Sequence, residues 1–277
     1  TTTSLSLVPY CIDINYGSHN VIRNCMIEFK QQYNTSYSAH TISMSGDSSF
    51  IINNYIKGGD YGIYFGSGAD HNIVSGNIIE DPTTYGLYVY SPGDLTLTGN
   101  KIHNTFKGYD AYNNDVDPDG IYIYLADDSL TISSNYINCS SFGIYLNNAD
   151  FSSVGGANIY NNIIFSEYGT TPIYIYDAQK VNLFNNTTST TGSGSPLSIT
   201  STSTGIKLFN NIFTTETGYI SLGTSGSIDS ADYNNYYSLG SKLIYYGSSS
   251  YSSLASWKSA SMLDLHSLSV EPVFLND

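Results

Sequence analysis

Positive charge is scarce in this sequence. Nine lysines and arginines stand against 23 aspartates and glutamates, the formal net charge is −14, and Arg23 is the lone arginine. A chain this acidic repels phosphate backbones, so we expect no nucleic acid among its partners. The same shortage disfavours polyanionic sugars, because binding of a carboxylate or sulfate normally takes an arginine or lysine.

Cysteines and long apolar runs are also few. The three cysteines include no Cys-x-x-Cys pair, so neither a disulfide framework nor a zinc site is predicted. No run approaches the length of a membrane span, and no signal peptide is present. Charged residues are 12% of the chain, and Ser, Thr, Asn, Gly and Tyr dominate, which is typical of extracellular or cell-surface proteins. The first residue is Thr1, so we expect a mature or excised fragment with further domains upstream.

No stretch shows helical periodicity, whereas an internal repeat runs through most of the chain. Short apolar segments such as "FIINNYI" and "LTISSNYI" recur about every 24 residues, each with an asparagine in register. The asparagines aligned in this way are Asn24, Asn54, Asn77, Asn100, Asn135, Asn162, Asn186, Asn211 and Asn235. Inward amides at one turn of each repeat would hydrogen-bond from one coil to the next. We therefore predict a buried asparagine ladder.

A second recurring segment lies between the asparagine blocks. It reads "GIYF", "GLYV", "GIYI", "GIYL" and "PIYI" in successive repeats and alternates strictly, as a half-buried strand does. Short strands repeated in this way cannot bury their apolar sides alone and must stack on neighbouring repeats. The pattern predicts an all-β fold, a solenoid of about nine coils of parallel strands.

Both repeated segments resemble those of the right-handed parallel β-helix repeat proteins, which have the fold of the pectate-lyase-like superfamily. The resemblance covers roughly residues 8–246. It implies a right-handed parallel β-helix, in keeping with the handedness rule for parallel connections. It implies little about function, since this architecture carries lyases, glycosidases, epimerases, adhesins and phage tailspikes alike.

The final stretch breaks the repeat. Trp257, the run Asp264-Leu265-His266-Ser267 and the run Glu271-Pro272-Val273-Phe274 are similar to the terminal segment of secreted bacterial β-helix repeat proteins. Such a segment would cover the exposed edge of the last coil. We therefore divide the chain into a β-helix domain at 1–250, with an insertion at about 103–119, and a C-terminal cap at 251–277.

Tyrosines recur at the outward position of the alternating segment. With the aliphatic residues facing inward, five successive coils present a tyrosine to solvent, about 4.8 Å apart. The first column comprises Tyr64, Tyr88, Tyr122, Tyr145 and Tyr174, a second comprises Tyr90, Tyr124 and Tyr176, and Tyr61, Tyr85 and Phe142 precede the strands. Two alternatives follow: a platform for the apolar faces of sugar rings, or cross-strand stacking that stiffens the sheet.

The insertion is the other candidate site. Asn100 and Asn135 are 35 residues apart (135 − 100), and the excess lies in "HNTFKGYDAYNNDVDPDG" beside Tyr122. Asp115, Asp117 and Asp119 followed by Gly120 have the order of a calcium-binding loop, which predicts Ca²⁺ as a cofactor. The twelfth position is Ala126, however, so the bidentate acid is missing. The alternative is a turn capped by its own aspartates.

Two functions remain open from the sequence. The first is a carbohydrate-binding or adhesive module that binds a polysaccharide on the tyrosine face, and the net charge predicts a neutral polysaccharide. The second is a polysaccharide lyase or glycoside hydrolase with its site at the insertion, where His103, Asp117 and Asp119 are the candidate catalytic residues. "DPDG" is similar to the "DPH" of mannuronan epimerases, but Asp119 stands where that family has histidine.

Overall fold

Three long β-sheets make up the protein. The computed structural model describes residues 10–30, 39–104, 108–109, 115–116, 118–151 and 155–273. The first sheet contains Tyr10–Ile14, His40–Met44, Tyr61–Phe65, Tyr85–Tyr90, Asp119–Tyr124, Ile144–Asn147, Ile173–Tyr176, Leu197–Ile199, Ile220–Leu222, Ile244–Tyr246 and Ser249–Tyr251. The second contains Val21–Arg23, Phe50–Ile52, Asn72–Ser75, Leu95–Thr98, Leu130–Ser133, Ala157–Tyr160, Val181–Phe184, Ile206–Phe209 and Ile228–Asp232. The third contains Met26–Phe29, Tyr55–Gly58, Ile78–Glu80, Lys101–Asn104, Tyr136–Cys139, Ile163–Ser166, Thr187–Thr190, Ile212–Thr215 and Asn235–Ser238.

The chain visits the three sheets in turn, one strand in each, and then begins the next coil. Within these three sheets the strands of successive coils pair in parallel, apart from the antiparallel pairing of Ser249–Tyr251 with Ile244–Tyr246. A separate antiparallel ladder pairs Gly108–Tyr109 with Asp115–Val116. Nine coils contribute a strand to all three sheets. The predicted parallel β-helix of about nine coils is therefore confirmed.

Aliphatic side chains fill the interior from end to end. Inward positions of the first sheet are fully buried, as the alternating pattern predicts, for example Ile63, Leu87, Ile121 and Ile144, at most 1% exposed. Because a coil cannot enclose a core alone, each of these side chains packs on its counterparts in the neighbouring coils.

The predicted asparagine ladder lies in the short turn between the second and third sheets. In each rung the backbone N–H and the Nδ2 group of one asparagine donate to Oδ1 of the next, as Asn100 does to Asn135 at 2.9 and 3.0 Å. Nδ2 also donates to a carbonyl of the preceding coil, as Asn135 does to Leu97 O at 3.0 Å. The ladder contains Asn54, Asn77, Asn100, Asn135, Asn162, Asn186, Asn211 and Asn234.

Two predicted ladder positions are wrong by one residue. Asn24 is exposed, and its φ of 54° places it at the left-handed residue just before the ladder position, which Cys25 occupies. Asn235 begins a strand of the third sheet, and Asn234 occupies the rung instead. In the first case Asn24 is the lone asparagine of "VIRNCMI" and a cysteine occupies the rung, whereas in the second case two adjacent asparagines made the alignment ambiguous.

Glycine lies at or just before the start of several strands of the first sheet for a steric reason. At Gly120 an added Cβ would lie 2.5 Å from both Ile137 Cγ2 and Gly143 O, and at Gly143 it would lie 2.2 Å from Ile164 Cγ2. Here the first sheet turns away from the third, and no space is left for a side chain. Gly120, predicted to form the sharp turn of a calcium loop, therefore belongs to the repeated glycine-isoleucine-tyrosine segment.

The C-terminal segment ends the asparagine ladder. Asn234 donates its backbone N–H to Ser267 Oγ at 2.8 Å and its Nδ2 to Asp264 Oδ1 at 3.0 Å, which reproduces both bonds of a rung. The Asp264 carboxylate also accepts from Trp257 Nε1 at 2.9 Å and from the Tyr236 hydroxyl at 3.1 Å. This carboxylate is fully buried, and four donors satisfy its hydrogen-bonding capacity at the end of the ladder.

A single helix, Leu254–Ser261, is found in the described part of the chain. Its Trp257 side chain is buried beneath the last coil. The sequence did not predict this helix. Within the described ranges no helix has the length and apolar character needed to cross a membrane. The three cysteines are free thiols, with Cys139 buried and Cys11 and Cys25 exposed.

Candidate functional site

The tyrosines of the first sheet lie in columns that run along the solenoid axis. Tyr64, Tyr88, Tyr122, Tyr145 and Tyr174 are strand partners in successive coils. All five side chains are half-buried on the outer face. Their predicted placement in one outward column is therefore confirmed. We call these five residues the tyrosine column.

Part of the tyrosine column is a tight ring stack. The Tyr64 and Tyr88 rings are 5.6 Å apart and 9° from parallel, and the Tyr88 and Tyr122 rings are 5.2 Å apart and 6° from parallel. Rings in this arrangement cover one another's faces and present mainly edges and hydroxyls to solvent. Cross-strand stacking, one of the two alternatives from the sequence, therefore describes the first three rings.

The stack breaks after Tyr122. The Tyr145 ring is 4.8 Å from the Tyr122 ring but turned by 80°, and the Tyr174 ring is tilted by 40° to that of Tyr145. The second half of the tyrosine column therefore offers ring surfaces in more than one orientation.

A second column lies two residues further along each strand. Its partners in successive coils are Tyr90, Tyr124, Asn147 and Tyr176. The sequence predicted the three tyrosines but missed Asn147. The register of "GIYLNN" with "GIYIYL" would have found it, because an asparagine there takes the place of a tyrosine.

Asn147, in the second column, is hydrogen-bonded to the tyrosine column. Its Nδ2 donates to the Tyr122 hydroxyl at 2.6 Å, and its buried Oδ1 has no hydrogen-bond partner among the described residues. If the oxygen and nitrogen of the amide exchanged places, the nitrogen would lack a hydrogen-bond partner instead of the oxygen. One polar atom of this amide therefore remains unsatisfied in either orientation.

A third row precedes the tyrosine column and comprises Tyr10, His40, Tyr61, Tyr85 and Asp119 as strand partners. His40 is only 7% exposed, and its ring stacks at 4.4 Å on that of Tyr64 and at 4.8 Å on that of Tyr61. Burial lowers the pKa of His40 to about 4, so the imidazole is neutral at neutral pH.

The two tyrosine-bearing columns carry no charge at neutral pH. Burial, followed by the neighbouring phenols, raises the pKa of Tyr88 and of Tyr145 to about 12. Burial also raises the pKa values of Tyr64, Tyr122 and Tyr174. The face therefore consists of neutral phenols and one amide.

Asp119 lies at the edge of this face. Its side chain is buried, and Oδ1 accepts a hydrogen bond from the Phe142 N–H at 3.0 Å. Its charge contributes to the raised pKa of Tyr85, for which burial is the larger cause. Of the two candidate catalytic residues that the structure describes, Asp119 lies on the tyrosine face and His103 lies on the third sheet.

The insertion spans the corner between the third and first sheets. His103 points outward from the third sheet, in register with Glu80 and Asn138, whereas Asp119 opens a strand of the first sheet. Asp115 pairs with Tyr109 in a short antiparallel ladder. Asp117 lies outside the described residues, so its convergence with Asp115 and Asp119 stays a prediction. In the described part of the chain no three potential ligands come together.

One comparison with known proteins is informative. A family model described as "Right handed beta helix region" matches residues 5–115. No curated protein and no solved structure matches the chain significantly. The matched region covers the first coils, and the same three-sheet coil continues beyond it to Ser238. The chain therefore has a parallel β-helix fold, and its residues 5–115 are similar to the right-handed β-helix family.

Proposed function

We propose that this protein is a secreted or cell-surface module that binds a neutral polysaccharide on the face formed by the tyrosine column and the second column. The observation that carries the proposal is an uncharged aromatic face extending over five coils. Sugar rings pack their apolar C–H faces on aromatic rings, while their hydroxyls bond to phenols and amides.

The fold itself does not require tyrosine at these positions. The register of the tyrosine column continues through Ser43 at one end and through Ser198 and Ser221 at the other, with parallel pairing unchanged. Five adjacent tyrosines therefore exceed what strand pairing needs. Exposed aromatic surfaces of this extent are uncommon on proteins without a partner.

The charge of the face favours a neutral ligand over an anionic one. Neither column contains a lysine or arginine, and the chain as a whole carries a net charge of −14. A uronate chain would meet repulsion from the protein and no cation to neutralise it.

Affinity electrophoresis in gels containing one polysaccharide each tests the proposal. Glucan, mannan, xylan and galactan serve as neutral polymers, and polygalacturonate and alginate as anionic ones. We expect retardation by at least one neutral polymer and none by the anionic pair. Tyr122→Ala and Tyr145→Ala should each lose the retardation.

Tyr136→Ala is the matched control, because this tyrosine is 39% exposed on the third sheet, away from the face. The proposal fails if no polymer retards the protein, or if Tyr122→Ala and Tyr145→Ala migrate as wild type does. Reducing ends are measured in the same samples. Release that is abolished by Asp119→Asn or His103→Ala would instead support the alternative, a polysaccharide-degrading enzyme with its site at the insertion.

A calcium ion bound by Asp115, Asp117 and Asp119 is a separate proposal. It rests on the Asp-x-Asp-x-Asp order of the three residues. Calorimetric titration of calcium into chelator-treated protein should show heat, and the melting temperature should rise with calcium concentration. Asp115→Asn should weaken both effects, and Asp94→Asn on another turn should change neither. A flat titration would leave the aspartates as turn-capping residues.

A further inference from the structure

We propose that Asn147 is the base of a slot between Tyr124 and Tyr176 that takes one sugar ring edge-on. This rests on the proposed function and identifies where on the face the ring binds. Three observations combine here: the gap in the second column, the unsatisfied amide and the break in the ring stack.

The gap follows from the strand register. Tyr124, Asn147 and Tyr176 are partners in three successive coils, so the two tyrosines are separated by two strand spacings, about 9.6 Å. A ring inserted between two others needs about 3.5–4.0 Å on each side, or about 7–8 Å in all. The space above Asn147 therefore admits one ring.

Adjacent tyrosines elsewhere leave no comparable space. Tyr90 and Tyr124 occupy neighbouring coils of the same column with ring centroids 5.6 Å apart, and neighbours in the tyrosine column are 4.8 to 5.6 Å apart. A third ring cannot enter between rings at these distances. Replacement of one tyrosine by the shorter asparagine is what creates the slot.

The polar groups of the slot suit a hydroxylated ring. Asn147 Nδ2 is bonded to the Tyr122 hydroxyl, which leaves Oδ1 without a partner in the described structure. A buried acceptor without a donor is unfavourable, so a ligand hydroxyl that reaches it gains a bond without displacing another. Because Oδ1 is buried, a flanking side chain must turn aside to admit the ring, and Tyr176, 41% exposed, is the more exposed of the two flanking tyrosines.

The change in ring orientation occurs at the same coil. Tyr145 precedes Asn147 by two residues on the same strand, and its ring is turned by 80° from that of Tyr122. The walls of the slot are thus tyrosine rings of the second column, and its inner side is the Tyr122–Asn147 pair. A neutral pyranose has the apolar faces and edge hydroxyls that this arrangement requires.

Asn147→Tyr is the decisive variant, because it completes the second column and fills the slot with a residue that the neighbouring coils already accommodate. Hexasaccharides of glucan, mannan, xylan and galactan are titrated calorimetrically into wild type and variants. We expect Asn147→Tyr to raise the Kd of the bound hexasaccharide at least tenfold, and Asn147→Ala about fivefold. Ser221→Tyr also adds one tyrosine, two coils beyond Tyr174, and should leave the Kd unchanged.

The Asn147 side-chain amide resonances of the wild-type protein supply a second readout that does not depend on any variant folding. They should shift on titration with the bound hexasaccharide, whereas those of Asn182, on the second sheet, should not. Binding with an unshifted Asn147 amide, or with an unchanged Kd in a folded Asn147→Tyr, overturns the slot and leaves the proposed function standing. Absence of binding to all the neutral polymers and their hexasaccharides overturns both.

Discussion

Two residue types repeat along this solenoid, asparagine inside and tyrosine outside, and the two repeats differ in kind. Each ladder asparagine is at most 2% exposed, and the same set of hydrogen bonds holds it in every rung from Asn54 to Asn234. The tyrosine column has the same register over five coils, but its rings change orientation and serines continue it at both ends.

The difference separates what the fold requires from what it only permits. A ladder amide bonds to two backbone groups of the preceding coil and to a side chain in each neighbouring coil, so a substitution there leaves buried donors and acceptors unpaired. An outward tyrosine satisfies no backbone group, and a serine serves the strand equally well. Repetition of asparagine is thus explained by folding, whereas strand pairing alone does not account for the repetition of tyrosine.

The largest effect on stability is expected inside, at Asn135→Ala. Loss of this amide removes the acceptor of Asn100 and the donor to Leu97 O in one step. We expect a fall of about 3–4 kcal/mol in the free energy of unfolding, measured by urea denaturation. Asn182→Ala is the control. The hydrogen bond from the Asn182 side-chain amide to Asn158 is exposed and should contribute less than about 1 kcal/mol. Equal losses in the two variants would contradict the distinction between required and permitted amides.

A somewhat smaller effect is expected at the end of the ladder, in Asp264→Ala. Trp257, Tyr236, Ser267 and Asn234 all donate to this buried carboxylate, and its removal leaves them unpaired. Unfolding from one end of a solenoid limits the loss to about 2–3 kcal/mol. Light scattering should also reveal association through the uncovered last coil.

The neighbouring His266→Ala is the control for Asp264→Ala. The imidazole of His266 is exposed and bonds to the half-buried carboxylate of Asp232 at 2.7 Å, so its removal should change stability by less than about 1 kcal/mol. A loss as large as that of Asp264→Ala would show that the cap is held by its surface rather than by its buried carboxylate.

The smallest effect concerns His40, an outer-face residue that is buried nonetheless. Burial lowers its pKa to about 4, against the opposing charges of Asp60 and Asp13, while its ring packs on those of Tyr61 and Tyr64. The unfolded chain therefore binds more protons between about pH 6.5 and pH 4. This contribution to stability is fully present above about pH 6.5 and is lost as the pH falls towards 4.

Denaturation midpoints across this pH range measure the contribution of His40. We expect the wild type to lose on the order of 1–2 kcal/mol more than His40→Gln does, after allowance for solvent screening. Carboxylates titrate in both proteins, so only the difference between the two counts. Parallel pH profiles would mean that His40 is solvated rather than buried.

Some predictions depended on single residues, and those were the ones that failed. Asn24 is the lone asparagine of its segment, Asn235 has an adjacent asparagine that also fits the motif, and a shift by one residue exchanges the inner and outer faces of a strand. The packing of Ile22 and Ile27 on either side of Cys25 settles the first case. His40 looked like an isolated polar residue because its ring partners are 21 and more residues away in the chain (61 − 40).

The sequence by itself determined the coil, the ladder and the outward tyrosine column, because a period of about 24 residues and strict alternation leave few ways to bury the aliphatic residues. Tertiary structure alone decided how each ring lies against the next and that the Asn147 amide keeps an unsatisfied oxygen. It also decided that the cap closes the ladder through Asp264 and Ser267. The physical reason is distance along the chain. Periodicity fixes the direction of a side chain, but its contacts are with residues one coil away, and the packing of neighbouring coils sets those contacts.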